Sequence, residues 1–413
     1  MYYFNSKKNR SLIKLINYFK LIIFSPFLLL LILLRFFFKI KIVNIETRRI
    51  GHFSLPIEIF LCEISNNIHN TKNIYIAFRN KIITNKFLYN KYKKNFIIFP
   101  RILMEPIYLF FNHKYIYNLI GKKFISGYRH WSRNFTYNSP QQNVDIYNVL
   151  PKTPPTVKFS KNEIDFGNNL LKKINLNEKD KYVCLHIRTP HYYYKKKVQS
   201  EFKYNMRDSK NFNFSKAVNY LADKNIKTVM IGEEIPNLIK DNKIIYYNKS
   251  NIKNDFLDIY LSSNCKYFIG SSSGMTQLSM IFRKKILFIN ISEIKRLNIE
   301  ETIYKPIILI KKFKSLKTGE YIPYPKVLEE KLSEFEYLDD LNKIGYDVED
   351  NSEEEILNAC KEMEHYLEKN EYLNYDSYLE KKFNKILLKY NGSTLKYSKI
   401  SFSFLNKNSG LLE

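Results

Sequence analysis

Apolar residues run almost unbroken from Leu21 to Leu34, interrupted only by Ser25 and Pro26, and Phe36 to Phe38 carry the run past Arg35. A helix needs about 20 apolar residues to span a bilayer, so the run is marginal for that purpose. Lys7, Lys8, Arg10, Lys14 and Lys20 precede it and Arg35, Lys39 and Lys41 follow, a symmetry that gives charge little say in orientation. No small-residue cleavage site follows, which argues against a signal peptide. Three readings stay open: an interfacial or re-entrant anchor, a single spanning helix, or a buried core helix.

Beyond this run the spacing alternates between strand and helix periods. Ile42 to Arg49 reads as a strand, Gly51-His52 as a turn and Leu55 to Ile64 as a helix; strands recur at Ile74 to Phe78 and Phe96 to Phe99, with a helix over Ile102 to Tyr117. Trp131 to Pro155 turns polar and carries Pro140, Pro151, Pro154 and Pro155, the pattern of a linker. In the second half, strands are expected at Tyr182 to Arg188, Lys227 to Gly232, Ile244 to Tyr247, Tyr267 to Gly270 and Ile286 to Asn290. Helices are expected between them at Phe214 to Ala222, Phe256 to Ser262 and Met275 to Phe282. Such alternation predicts an α/β fold with a parallel, doubly wound sheet. Ile356, Leu357, Cys360, Met363 and Leu367 then recur at helical spacing, so the end of the chain reads as a helical tail. The implied division is an anchor over 1–41, an α/β domain over 42–150, a second over 151–330 and the tail over 331–413.

Length agrees with more than one domain, since 413 residues exceed what one core usually organises. Lys plus Arg number 67 against 40 for Asp plus Glu, and the net charge of +27 favours an anionic partner: nucleic acid, acidic lipid or a phosphorylated substrate. The joint abundance of Ile, Lys, Asn, Tyr and Phe, as AT-rich codons produce, is a competing source of the lysine excess. The basic residues are dispersed and no recognition motif accompanies them, which disfavours nucleic acid. Cys62, Cys184, Cys265 and Cys360 lie too far apart for a zinc cluster and fit a reducing cytoplasm.

Ligands of open parallel sheets bind beyond the carboxyl ends of the strands, so the loops there hold the candidate chemistry. One strand ends Cys184-Leu185-His186-Ile187-Arg188-Thr189-Pro190-His191-Tyr192, which puts His186 and Arg188 on one face with Arg188 at the rim. An arginine there grips phosphate through a bidentate fork; the alternative is a partner carboxylate. Phe268-Ile269-Gly270 runs into Ser271-Ser272-Ser273-Gly274 and then a helix, whose N-terminal amides favour anions, although serine-rich turns also simply cap helices. No Gly-Lys-Ser/Thr follows, so this is no Walker A loop. Arg207 and Asp208 sit in the loop after the His-x-Arg strand, facing the same crevice or forming an exposed ion pair.

A resemblance enters with these blocks. Cys184 to Arg188, the Arg207-Asp208 loop, Asn254 to Leu261 and Phe268 to Gly274 resemble bacterial glycosyltransferases from surface-polysaccharide gene clusters; Arg49-Ile50-Gly51-His52-Phe53, with Glu58 after it, resembles that family's first β-to-α turn. The His-x-Arg strand is also similar to fucosyltransferases of the two-Rossmann-domain type, in which the matching arginine contacts the donor's phosphates. Thr189-Pro190 departs from the Arg/Gly-Asp that often follows there, so fucose is not implied as the donor sugar. The resemblance implies a GT-B-like pair of Rossmann domains, the first binding a glycan or lipid-linked acceptor and the second a nucleotide-sugar. It implies hexosyl or deoxyhexosyl transfer without metal or other cofactor at the cytoplasmic face of the bacterial inner membrane. Arg188 then stabilises the leaving group, with His186, Arg207, Asp208 and Ser271 to Gly274 on the donor, and His52 or, after it, Glu58 as base. A membrane-attached glycan- or nucleic-acid-binding protein without catalysis is the competing class, separated by whether a nucleoside diphosphate binds.

Overall fold

The structure is a computed structural model and describes residues 16, 19–69, 72–125, 145–191, 203–235, 241–297, 306–373, 377–392 and 394–413. The chain divides into two compact units, Met1–Lys158 and Phe159–Glu413. The linker expected at Trp131 to Pro155 falls mostly outside the described residues. Its last residues belong to the first unit, where Thr156 N–H donates to the Glu58 carboxylate.

In the first unit β1 (Lys39–Ile45), β2 (Asn73–Arg79) and β3 (Ile97–Ile98) form a parallel sheet in the order β1-β2-β3. β1 starts and stops earlier than its apolar pattern suggests because the next residues turn off the ladder: Thr47 N–H donates to Asn80 Oδ1 and its hydroxyl to the Ile82 carbonyl. Helix Ile50–Ser65 follows and is buried from Phe53 through Glu63, so it is a core helix rather than a surface one. It starts upstream of the expected Leu55 and carries Pro56 inside, which denies the His52 carbonyl its usual intrahelical donor.

The apolar N-terminal run is in part a core element. Its helix spans Ser25–Phe37, opened by Pro26 at a position where a missing N–H costs nothing. Those 13 residues rise ~20 Å, and among the described residues no helix is long and apolar enough to cross a membrane. One face, Leu28 and Leu31, is buried against Ile40, Met104, Ile107 and Phe111. The other face is exposed.

In the second unit seven strands line up as β12-β9-β8-β7-β4-β5-β6, every neighbouring pair parallel. β4 (Lys181–His186), β5 (Ile226–Met230), β6 (Ile244–Ile245), β7 (Tyr267–Gly270) and β8 (Lys285–Ile291) match the apolar runs of the sequence within a few residues. β9 (Ile307–Ile310), β12 (Lys399–Ile400) and the antiparallel pair β10 (Lys312–Ser315) and β11 (Tyr346–Glu349) were not foreseen. Strands of two to four residues are too short to show a period.

The end of the chain is not a separate helical tail. Helix Glu353–Lys369, opened by a Ser352/Glu355 capping box, packs on helix Ser215–Asp223 and on β8 and β9, covering one face of the sheet. Its approach is fixed by reciprocal amide bonds: Asn351 N–H to Asn290 Oδ1 at 2.7 Å and Asn290 N–H to Asn351 Oδ1 at 2.7 Å, with Asn351 Nδ2 donating to the Ile310 carbonyl at 2.9 Å. Asn290 adopts φ 55°, in the left-handed region that asparagine tolerates. Asn351→Ala leaves the Asn290 amide and the Ile310 carbonyl unpaired in the core, and should cost about 2–4 kcal/mol in chemical denaturation of the full chain. A loss below about 0.5 kcal/mol would mean the pair does not hold the helix to the sheet.

Candidate functional site

Strand order locates the site before any side chain does. From β4 the chain winds one way to β5 and β6, then crosses back and winds the other way through β7, β8 and β9. The reversal lies between β4 and β7, and loops leaving the carboxyl ends of strands at such a point diverge and open a crevice. His186 pairs with Gly270 in register. Arg188 and Ser272 each lie two residues further on, so the His-x-Arg strand end and the serine-rich turn leave the sheet side by side.

Arg188 is 7% exposed and is held by the loop that follows its strand. Its Nη1 donates to Asn205 Oδ1 at 3.1 Å and its Nε lies 3.4 Å from Asp208 Oδ1. Arg207 Nε donates to the same Asn205 oxygen at 3.1 Å and lies 3.8 Å from Glu293 Oε2, with its side chain 30% exposed. Two guanidiniums thus converge on one neutral acceptor. Asp208 turns inward and is 1% exposed, so its close partner is the buried Arg188, not an exposed loop ion pair. Burial raises the Asp208 carboxyl above its usual range, with Arg188 and the Asn205 amide pulling against that rise.

The loop is anchored from below by residues the sequence reading passed over. Lys311 Nζ, 1% exposed, donates to the Asp208 carbonyl at 2.6 Å and pairs with Asp350 Oδ1 at 2.9 Å. Asp350 Oδ2 accepts from the amides of Lys210 at 2.6 Å and Asn211 at 2.9 Å, and Asn290 Nδ2 donates to Ser209 Oγ at 3.0 Å. Burial lowers the Lys311 pKa, opposed by Asp350. The visible signal was a charged Lys311-Lys312 pair inside the apolar run Ile307 to Phe313.

His186 lies under the rim, its Nδ1 3.3 Å from the Ile231 carbonyl, between glycines that leave no room for a Cβ: one at Gly232 would stand 2.5 Å from the imidazole and one at Gly270 2.9 Å from the His186 carbonyl. Desolvation lowers its pKa to about 4, the Ile231 carbonyl opposing and Arg188 adding to the drop, so the ring is neutral near pH 7. It shapes the crevice floor and is no cation for a phosphate.

In the turn, Ser273 caps helix Gly274–Ile281, accepting from Thr276 N–H at 3.3 Å, and Thr276 Oγ1 donates to the Ser271 carbonyl at 2.7 Å. Ser271 is buried and its hydroxyl has no hydrogen-bond partner among the described residues. Ser272 and Gly274 stand on either side of the cap. Capping and anion-facing amides therefore coexist in one short turn.

In the first unit His52 lies in the opening turn of helix Ile50–Ser65 and is partly buried. Glu58, on the same helix, is fully buried. Its carboxylate accepts from Thr156 N–H at 2.9 Å and from the Thr156 hydroxyl, with Tyr92 OH at 3.4 Å and Cys62 Sγ at 3.8 Å. That corrects the base role considered for Glu58: the group is committed to holding the chain after Pro155 and has no open face. Among the described residues no group of three or more His, Cys, Asp or Glu is arranged to hold a metal ion.

No family model matches the sequence, and no curated protein matches it. Two solved structures are similar in shape. One is the E. coli ADP-heptose LPS heptosyltransferase II, at 11% identity, covering 60% of this chain and 84% of that one with a TM-score of 0.34. The other is a glycosyl transferase family 9 protein of Veillonella parvula, at 12% identity, covering 80% and 98% with a TM-score of 0.43.

The His186 environment has a pH consequence. Above about 6.5 the ring is neutral in both folded and unfolded chains; as pH falls from there toward about 4 the unfolded chain takes up a proton that the fold refuses, so stability drops. The drop from this group should reach about 3 kcal/mol at pH 4. Denaturation of wild type and His186→Asn across that window isolates it, since Asp258 and Glu380, whose carboxyls are raised to about 6 and about 7, remain in both proteins. Parallel curves for the two proteins would show that His186 is protonated without penalty.

Proposed function

We propose that the chain is a glycosyltransferase that moves a sugar, hexosyl or deoxyhexosyl, from a nucleotide-sugar to a glycan or lipid-linked acceptor without a metal ion. The supporting observation is that Arg188, joined to Arg207 through Asn205, and the Ser271 to Gly274 turn follow neighbouring strand ends where the winding of the sheet reverses.

The chemistry follows from that grouping. An acceptor hydroxyl attacks the anomeric carbon, the bond from that carbon to the diphosphate oxygen breaks, and negative charge gathers on the leaving phosphate. Arg207, the more exposed guanidinium, and the amides of the serine turn are the proposed donors to that oxygen. Arg188, shared with Arg207 through Asn205, adds fixed positive charge behind them. Charge held rigidly in a partly dry crevice stabilises the departing diphosphate more than the bound donor, so it acts on turnover. His52 is the proposed base, because an imidazole titrates in the range general-base catalysis needs.

The first test is binding. A nucleotide-sugar present at 100 times its Kd should stabilise the full chain by about 2.7 kcal/mol in a thermal-shift screen of UDP-, GDP-, CMP- and dTDP-sugars. If none of the four raises the unfolding temperature, the transferase reading is lost and a binding protein for another ligand takes its place. In the second, Arg188→Lys retains the charge but not the fork that holds Asn205 and Asp208, and with it the seat of Arg207, and should lower turnover under saturating donor on the order of a hundredfold while the far-ultraviolet dichroism stays unchanged. Near-wild-type turnover in that variant would reduce Arg188 to a partner of Asp208.

A further inference from the structure

Helix Ser25–Phe37 is apolar all round yet buried on one side only. Leu28 and Leu31 face the core, whereas Leu29 and Leu33 are exposed and Phe36 and Phe37 are each 82% exposed. Tyr115 and Leu119 are also exposed in the segment after helix Arg101–Phe111, and Arg35 Nε ties the N-terminal helix to the end of that segment, donating to the Lys123 carbonyl at 3.4 Å. Monomeric proteins rarely leave this much contiguous apolar surface without a partner. Around it stand exposed lysines, Lys39, Lys114, Lys122 and Lys123.

We propose that this surface docks the first unit on an anionic lipid bilayer, with the helix lying in the plane of the interface. Three observations choose that occupant. Leu28 and Leu31 tie the helix to the body, and among the described residues no helix is long and apolar enough to cross a bilayer, which suits this one to lie on the surface. Phenylalanine and leucine on one side with lysines at the margin is the composition that seats a helix at the headgroup boundary, where apolar burial and attraction to acidic lipid act together. A second copy of the chain would bring the same lysines against each other, and like charges facing across an interface oppose association. The inference stands apart from the transferase reading, because it concerns another surface and another ligand.

Truncation is a poor test, since removing residues 1–40 would strip the cover from Met104, Ile107 and Phe111. Point variants of the full chain avoid this. Flotation with vesicles of equimolar phosphatidylcholine and phosphatidylglycerol should carry wild type upward, and phosphatidylcholine alone should carry far less. Leu33→Ser/Phe36→Ser/Phe37→Ser should weaken partitioning to the anionic vesicles about tenfold or more at unchanged unfolding temperature. Lys39→Ala/Lys122→Ala/Lys123→Ala should abolish the preference for anionic over neutral vesicles. The proposal is overturned if wild type stays at the bottom of the gradient, or if the serine variant floats as wild type does. It is equally overturned if light scattering shows a wild-type dimer that the serine substitutions dissociate, for the face then belongs to a second copy.

Discussion

The buried pair of Lys311 and Asp350 is the constraint on which the rim of the second unit depends. A lysine and an aspartate, each almost wholly excluded from solvent, are expensive to bury, and the cost is offset only where their lone pairs and protons find further partners. Here those further partners come from one loop. Lys311 takes the Asp208 carbonyl and Asp350 takes the amides of Lys210 and Asn211. Removing either partner leaves an uncompensated charge, with a cost of about 3–5 kcal/mol. Because Asn205 and Asp208 belong to the same loop, the pair also sets where the guanidiniums of Arg188 and Arg207 rest.

Sheet topology explains why a loop needs such anchoring. Where the winding reverses between β4 and β7, the loops leaving the strand ends diverge and need holding in place. Two devices answer this. The loop after β4 is bolted to the region of β9 and β11 by buried charge, and the turn after β7 is stiffened by its own serine and threonine hydroxyls. A rim built this way is rigid and polar at once, the condition under which fixed dipoles stabilise developing charge without reorganising.

In the first unit the same economy of positions gives Glu58 and the N-terminal helix their places. Glu58 reads in sequence as an acidic side chain after a strand-to-helix turn, a plausible base. Its carboxylate instead closes on Thr156, almost a hundred residues later, so its charge is spent on connecting the end of the unit to its core. The N-terminal run reads as an anchor, yet Leu28 and Leu31 complete a core that Ile40, Met104 and Phe111 begin. Hydrophobicity alone does not distinguish the two uses, because packing against protein and against lipid asks for the same residues.

The amino-acid sequence by itself determined the alternation of strands and helices in the second unit. Long apolar runs such as Tyr182 to Arg188 and Ile286 to Asn290 admit little but a strand buried on both faces, and Asn254, Ser273 and Ser352 mark helix starts through capping chemistry that is local. It also placed His186, Arg188 and the serine turn at strand ends, since that follows from where the runs stop. Only the tertiary structure decided that Arg188 pairs with Asp208, that His186 is held neutral, and that Lys311, Asp350 and Asn351 fasten the rim. Those outcomes rest on contacts between residues up to about 140 positions apart, such as Lys210 with Asp350, and on how deeply each group is buried. Neither quantity is encoded in any local pattern, because both arise when the sheet has assembled and water has left.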